Sequence, residues 1–276
     1  NPYVVYLGGI LHEMAGEEND AYISYKKALM LMPTNRYVQK DTIRYAIALN
    51  QDQDFDWLKK SFPEAWQECE NSKEETKNLG KLVIIYEDGW APRKEEVFIS
   101  MAAVAVAYPI YRFQWVEPKP ININLSGNNL EKSFESYPIC YMNALALRAL
   151  QEEAKWRIIR QTARVLLKGS VFATGATMAT ASSNSYVQAA GVGIMVASAI
   201  YNNMSEKADL RSWMTLPENV QIMSAYLPAE PISIKITSSA GPTVVSDKTL
   251  KIEKGKTTIL RIVRIGGRYI VENLWP

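Results

Sequence analysis

The residues able to do chemistry are few, and their spacing argues against catalysis. His12 is the single histidine of the 276-residue chain. A metal site built from several imidazoles is therefore excluded, and a Ser–His–Asp relay would have to draw its base from a helical segment. Two cysteines occur, Cys69 and Cys140, and Cys69 has no Cys-x-x-Cys partner. A disulfide between them and a pair of free buried thiols are both compatible with the sequence. Glu87 and Asp88 are adjacent carboxylates beside a Gly-Trp turn. Neighbours on a strand point to opposite faces, so this pair would not flank one glycosidic bond. Gly8-Gly9 and Gly266-Gly267 have neither the spacing nor the following Lys-Ser/Thr of a phosphate loop. The expectation is a chain without catalytic residues, cofactor or metal, and so not an enzyme.

Composition narrows the remaining classes. Hydrophobic residues make up 47% and charged residues 22% of the chain, an ordinary globular balance. The formal charge is +2, with Lys and Arg scattered, which excludes the basic face that nucleic-acid binding requires. The chain starts at Asn1 with no charged n-region and apolar h-region behind it. The expectation is that the natural N-terminus was processed or is missing, and its targeting information with it.

The elements that would position a binding surface begin at once. Ala21, Tyr25, Ala28 and Pro33 follow the A-x3-aromatic-x2-A-x4-P spacing of a tetratricopeptide repeat. Small alanines let the second helix sit close to its neighbour, Tyr25 fills the groove between them, and Pro33 ends the helix. Gly9 falls where the first helix needs a small residue at the crossing, and Gly16 supplies the turn. A degenerate second unit follows over 34–67, and a polar connector over 71–78.

Beyond it the pattern changes to strands. A β-branched run over 81–87 is followed by extended segments at 95–99, 102–114 and 121–125, the last alternating strictly. The C-terminal part is more regular, with strands expected at 232–237, 249–252 and 257–265. Gly266-Gly267 then forms a tight hairpin into 269–271. Residues 138–168 read as helical. From 169 to 205 there is no charged residue, only an Ala, Gly, Ser and Thr-rich stretch broken by Ser182-Ser183-Asn184-Ser185. Small residues at Gly191, Gly193 and Ala197 permit close helix approach. A core hairpin, an inter-subunit interface and, at near the ~20 residues needed per span, a membrane insertion all fit. Arg211, Trp213 and Pro217 are expected to be structural, tying this hairpin to the β domain rather than clamping a ligand.

The fold class expected is α+β. Tetratricopeptide-like helical hairpins occupy 1–78, and a small, mostly antiparallel β domain occupies 79–276. That domain is closed by strands at about 81–125 and 231–274, with helices inserted at about 138–205.

Several phrases resemble, in order, an uncharacterised lipoprotein family of Gram-negative bacteria. They are ILHE at 10–13 with NDAYISY at 19–25, YEDGWAPRK at 86–94, and ADLRSW at 208–213 with TLP at 215–217. The match runs from about residue 6 to residue 228. The family is often encoded beside an outer-membrane activator of penicillin-binding proteins. The resemblance implies a periplasmic, outer-membrane-anchored lipoprotein, held by an N-terminal lipid that this chain does not include. The function expected is a non-enzymatic scaffold or adaptor of a flagellar, secretion or peptidoglycan-synthesis assembly. Its partners would be other envelope proteins bound through the helical repeat, in a homo-oligomer or larger complex, with no nucleic acid. The alternative is a monomeric periplasmic lipoprotein that binds a small ligand or glycan.

Overall fold

Two asparagines open helices in the same way. Asn1 accepts from the backbone N–H groups of Tyr3 and Val4, and Asn35 from those of Tyr37 and Val38. The helices they start are α1 (Pro2–Ala15) and α3 (Arg36–Ala48), with α2 (Glu18–Leu31) between them and α4 (Asp52–Ser61) and α5 (Pro63–Cys69) after. Gly16 closes α1 in the left-handed conformation at φ 76°, where glycine is the residue of least strain. α1 and α2 form a hairpin. A Cβ on Gly9 would lie 2.7 Å from the Tyr25 ring, so the ring sits where any larger residue would stand. Ala21, Tyr25 and Ala28 are completely buried, and Pro33 lies in the turn after α2.

The computed structural model describes residues 1–71, 76–101, 104–112, 114–128, 130–181, 183–205, 207–238 and 244–275. Among these the chain divides into two compact units. One comprises Asn1–Ala91, Val116–Met142 and Thr215–Pro276, the other Pro92–Trp115 and Asn143–Met214.

The first unit centres on β1 (Leu79–Asp88) and β7 (Asn219–Pro228), paired antiparallel with Lys81 opposite Tyr226 and Val83 opposite Ser224. On its other side β1 pairs in parallel with β10 (Thr257–Ile265). β11 (Arg268–Trp275) and β6 (Tyr137–Tyr141) complete a five-stranded sheet ordered β11-β10-β1-β7-β6. A second, antiparallel sheet is ordered β5-β4-β8-β9, from β4 (Ile121–Ser126), β5 (Glu131–Glu135), β8 (Pro231–Ser238) and β9 (Val244–Lys251). β4 and β8 alternate as a half-buried strand should, with Ile121, Ile123, Leu125, Ile232, Ile234 and Ile236 inside. β1 and β7 are buried along nearly their whole length. The five-stranded sheet is thus a middle layer, with the helices on one face.

The second unit holds a ribbon of β2 (Lys94–Met101) and β3 (Val104–Tyr111) and two helices, α6 (Met142–Ala181) and α7 (Ser185–Ser205). The helices cross at glycine. A Cβ on Gly191 would stand 2.4 Å from the backbone nitrogen of Ala179 and 2.6 Å from the carbonyl of Gly175. Thr174, Thr177 and Thr180 return their hydroxyls to carbonyls one turn earlier, so a polar composition is satisfied within the helix. No helix of the described residues is long and apolar enough to cross a membrane.

The α+β class is as expected, and three details correct the sequence reading. No division falls at residue 78, because side chains of α1 and α3 are bonded into the sheet. The helical insertion begins at Met142, since 137–141 form β6. β7 was not foreseen, because a strand covered on both faces shows no alternation. The Gly266-Gly267 hairpin is present, with φ of 54° and 80° at its two glycines, the signature of a turn that follows the twist of its strands.

Replacing Gly191 by Leu should force α6 and α7 apart, at a cost of about 1–3 kcal/mol from overpacking. Hydrogen exchange should accelerate across both helices near residues 175–195 while β1 and β7 keep their protection. Unchanged protection in the hairpin would mean that the helices do not meet at these glycines.

Candidate functional site

Lys81 is placed by β1 on the sheet face that carries the helices, and its side chain is 1% exposed. A lone ammonium there would be strongly destabilising. Two carboxylates answer it: Glu13 from α1 at 2.7 Å and Asp41 from α3 at 3.2 Å. Each carboxylate is itself held. Tyr25 donates to Glu13 at 2.5 Å and Tyr226 at 3.1 Å, while Tyr6 donates to Asp41 at 2.6 Å and Ser224 at 3.1 Å. Arg44 adds a second cation, 3.3 Å from Asp41. The four charges cancel, and the rings of Tyr25 and Tyr226 lie 5.1 and 5.6 Å from the Lys81 nitrogen, within cation–π range.

The ionisation of the network follows from this packing. Burial pushes Lys81 toward its neutral form, but Asp41 and Glu13 outweigh it and hold the ammonium above its usual range. Burial likewise opposes the Asp41 carboxylate, and Lys81 and Arg44 outweigh it, so its pKa is lowered. Tyr6, Tyr25 and Tyr226 are raised well above the ordinary tyrosine value, first by burial and then by the neighbouring carboxylates. Lys81 is thus a fixed cation with saturated donors, unlike the neutral amine a Schiff-base nucleophile requires.

The network borders a cavity of about 460 Å³, lined by Glu13, Tyr45, Lys81, Tyr226, Lys256 and Thr257 among others. A smaller cleft on α3, β5 and β7 shares Tyr226 with it. Thr76, Leu79 and Tyr226 line both and form their common wall.

The residues singled out by sequence fall in different places. Gly9, Ala21, Tyr25 and Ala28 pack the helical hairpin, and Tyr25 also belongs to the network. Gly191 meets Gly175 within the chain, whereas a Cβ on Gly193 would meet nothing within 4 Å. Ala197 lies in α7, and its side chain is outside the described residues. Arg211 bonds to Asp209 at 2.9 Å, Trp213 is 75% exposed, and Pro217 is buried. Glu87 and Asp88 are bonded to Arg261 and Arg264 of β10. These arginines are three residues apart on the strand, so the two pairs lie on opposite faces.

His12 donates from Nδ1 to Glu17 at 2.6 Å, with Asp20 close by at the exposed turn of the first hairpin. Cys69 and Cys140 are free and buried, and burial pushes both thiols up to about 11. Sequence reasoning missed Lys81, Asp41 and Arg44. A lysine opening a β-branched run gives no local sign that its head group will be covered.

No family model, curated protein or solved structure matches the chain.

Lys81→Met should cost about 3–5 kcal/mol, because it leaves the Glu13 carboxylate without its cation and takes one of two from Asp41. Combining it with Glu13→Gln alone, which leaves Asp41 balanced by Arg44, should restore much of that loss in urea unfolding; an additive loss would contradict the network. The pH profile follows from the directions above. Stability from Asp41 is present above its unfolded value of about 3.9 and lost as pH falls through its lowered folded value. That from Lys81 and the three tyrosines is complete below about 10 and lost as pH rises toward their raised folded values. Unfolding free energy should therefore hold a plateau between these limits and fall outside them; a maximum near pH 4 would contradict the assignment. At pH 8 both cysteines should resist iodoacetamide in the folded chain and react within minutes in urea.

Proposed function

We propose that this chain is a non-enzymatic protein-binding subunit of the bacterial cell envelope, a scaffold or adaptor whose N-terminal helices act as a tetratricopeptide-like unit. The observation that carries this reading is the apolar surface the helices leave uncovered. Val4 and Leu11 on α1, and Ile23 and Met30 on α2, are exposed at seven-residue spacing. Each pair lies two turns apart on one face, away from the buried Tyr6 and Tyr25. Apolar stripes on helices already fixed from behind suit recognition of an amphipathic partner segment. The saturated Lys81 network supports a structural over a catalytic role for the charges beneath them. The lipoprotein resemblance supports the periplasm and an N-terminal lipid anchor as the setting, and a homo-oligomer or larger complex as the form.

A photo-crosslinking residue at Leu11 or Ile23, expressed in a bacterial host, should yield discrete adducts with an envelope protein or a second copy. The same residue at the exposed Lys254 should yield none. Leu11→Asp combined with Ile23→Asp should abolish the adducts formed from Met30, with folding stability changed by no more than about 0.5 kcal/mol per site, as for other surface changes. Adducts no more frequent at Leu11 and Ile23 than at Lys254 would overturn the reading.

A further inference from the structure

The smaller cleft has a chemistry unlike that of the apolar stripes. It measures about 260 Å³ and is lined by Tyr37, Lys40 and Arg44 of α3, Lys132 and Phe134 of β5, and Tyr226 of β7. Three rings and three cations thus share the site with a single lining carboxylate, Glu68, and that one is already paired with Lys40. Asp41, beside Arg44, is buried and also engaged by Lys81, Tyr6 and Ser224. Lys132 is exposed. The cleft is therefore net positive with aromatic walls.

Arg44 is its unusual member. The guanidinium lies 5.0 Å from the centre of the Tyr226 ring, and Nη1 donates to Asp41 at 3.3 Å. Its Nε is buried and has no acceptor among the described residues. Native structures seldom leave a buried donor in that state, and a cationic one calls for an explanation. A planar guanidinium is the group best shaped to receive a carboxylate or phosphate through two parallel N–H bonds.

We propose that this cleft binds a small organic anion. A carboxylate or phosphate group meets the Arg44 guanidinium and the Lys132 ammonium, and an attached planar or apolar body lies against Tyr37, Phe134 and Tyr226. The volume falls just below the roughly 300–1,000 Å³ common to small-molecule sites, which limits the ligand to about one ring and its acid group. The site uses none of the exposed residues of α1 and α2, so it stands or falls separately from the protein-binding reading.

Benzoate and phenyl phosphate are suitable probes, with inorganic phosphate as the acid group alone and benzamidine as a cation of matched shape. Saturation-transfer NMR and calorimetry on the full chain should show both aromatic anions binding and benzamidine not binding. Inorganic phosphate should bind about tenfold more weakly than phenyl phosphate, for want of ring contacts. Lys132→Glu, a surface change that leaves the fold intact, should weaken both aromatic anions by about fivefold or more. Arg44→Gln should abolish their binding. The proposal is overturned if neither aromatic anion shows saturation transfer at millimolar concentration, if benzamidine binds as well as benzoate, if inorganic phosphate binds as tightly as phenyl phosphate, or if Lys132→Glu binds with wild-type affinity.

Discussion

A lysine ammonium buried on the middle strand of a sheet cannot be left alone, and the first unit is arranged around that constraint. The charge of Lys81 is balanced from two helices at once, by Glu13 of α1 and Asp41 of α3. Neither carboxylate could meet it unless both helices lay across the same sheet face. Apolar burial supplies most of the driving force for that packing, but it is non-directional. Ion pairs and tyrosine hydroxyls have directions, so they set how the helices are placed on the strands. Asn35 adds a second fixed point, since it caps α3 with its oxygen and donates its amide to the carbonyls of Tyr137 and Pro138 on β6.

The second unit is held by a different interaction. Its helices meet through absent side chains, with Gly175 and Gly191 bringing backbones within contact, and threonine hydroxyls are satisfied inside their own helix. Such a hairpin needs no charge, which accounts for the composition of 169–205. The contrast assigns different sensitivities to the two units. Charge removal acts on the first, and added bulk at the crossing acts on the second.

Local features were legible in the sequence and long-range ones were not. The Ala21, Tyr25 and Ala28 spacing marked a buried helical face because periodicity is a property of one segment. Gly266-Gly267 marked its hairpin because positive φ at two successive positions nearly demands glycine. Strands such as β4 and β8 showed themselves by alternation. β7 did not, since residues 219–228 are covered on both faces and lose the period that signals a strand. The parallel pairing of β1 with β10 joins segments far apart in the chain, which no local pattern reveals. Nothing in the local pattern around Lys81, Asp41 and Arg44 distinguishes them from solvated charges. Their partners are supplied only by the tertiary fold, so the candidate site was nearly invisible although the helix that carries half of it was recognised.

The claim that helices and sheet form one charge-clamped body is tested most directly by native-state hydrogen exchange. In the wild-type chain, amides of α1 and α3 should open with the same free energy as those of β1 and β7, and with the same denaturant dependence. In Lys81→Met the helical amides should fall below the sheet and open separately. If α1 and α3 already exchange at much lower free energy than β1 in the wild-type chain, the helices are a separate foldon and the clamp does not unite them.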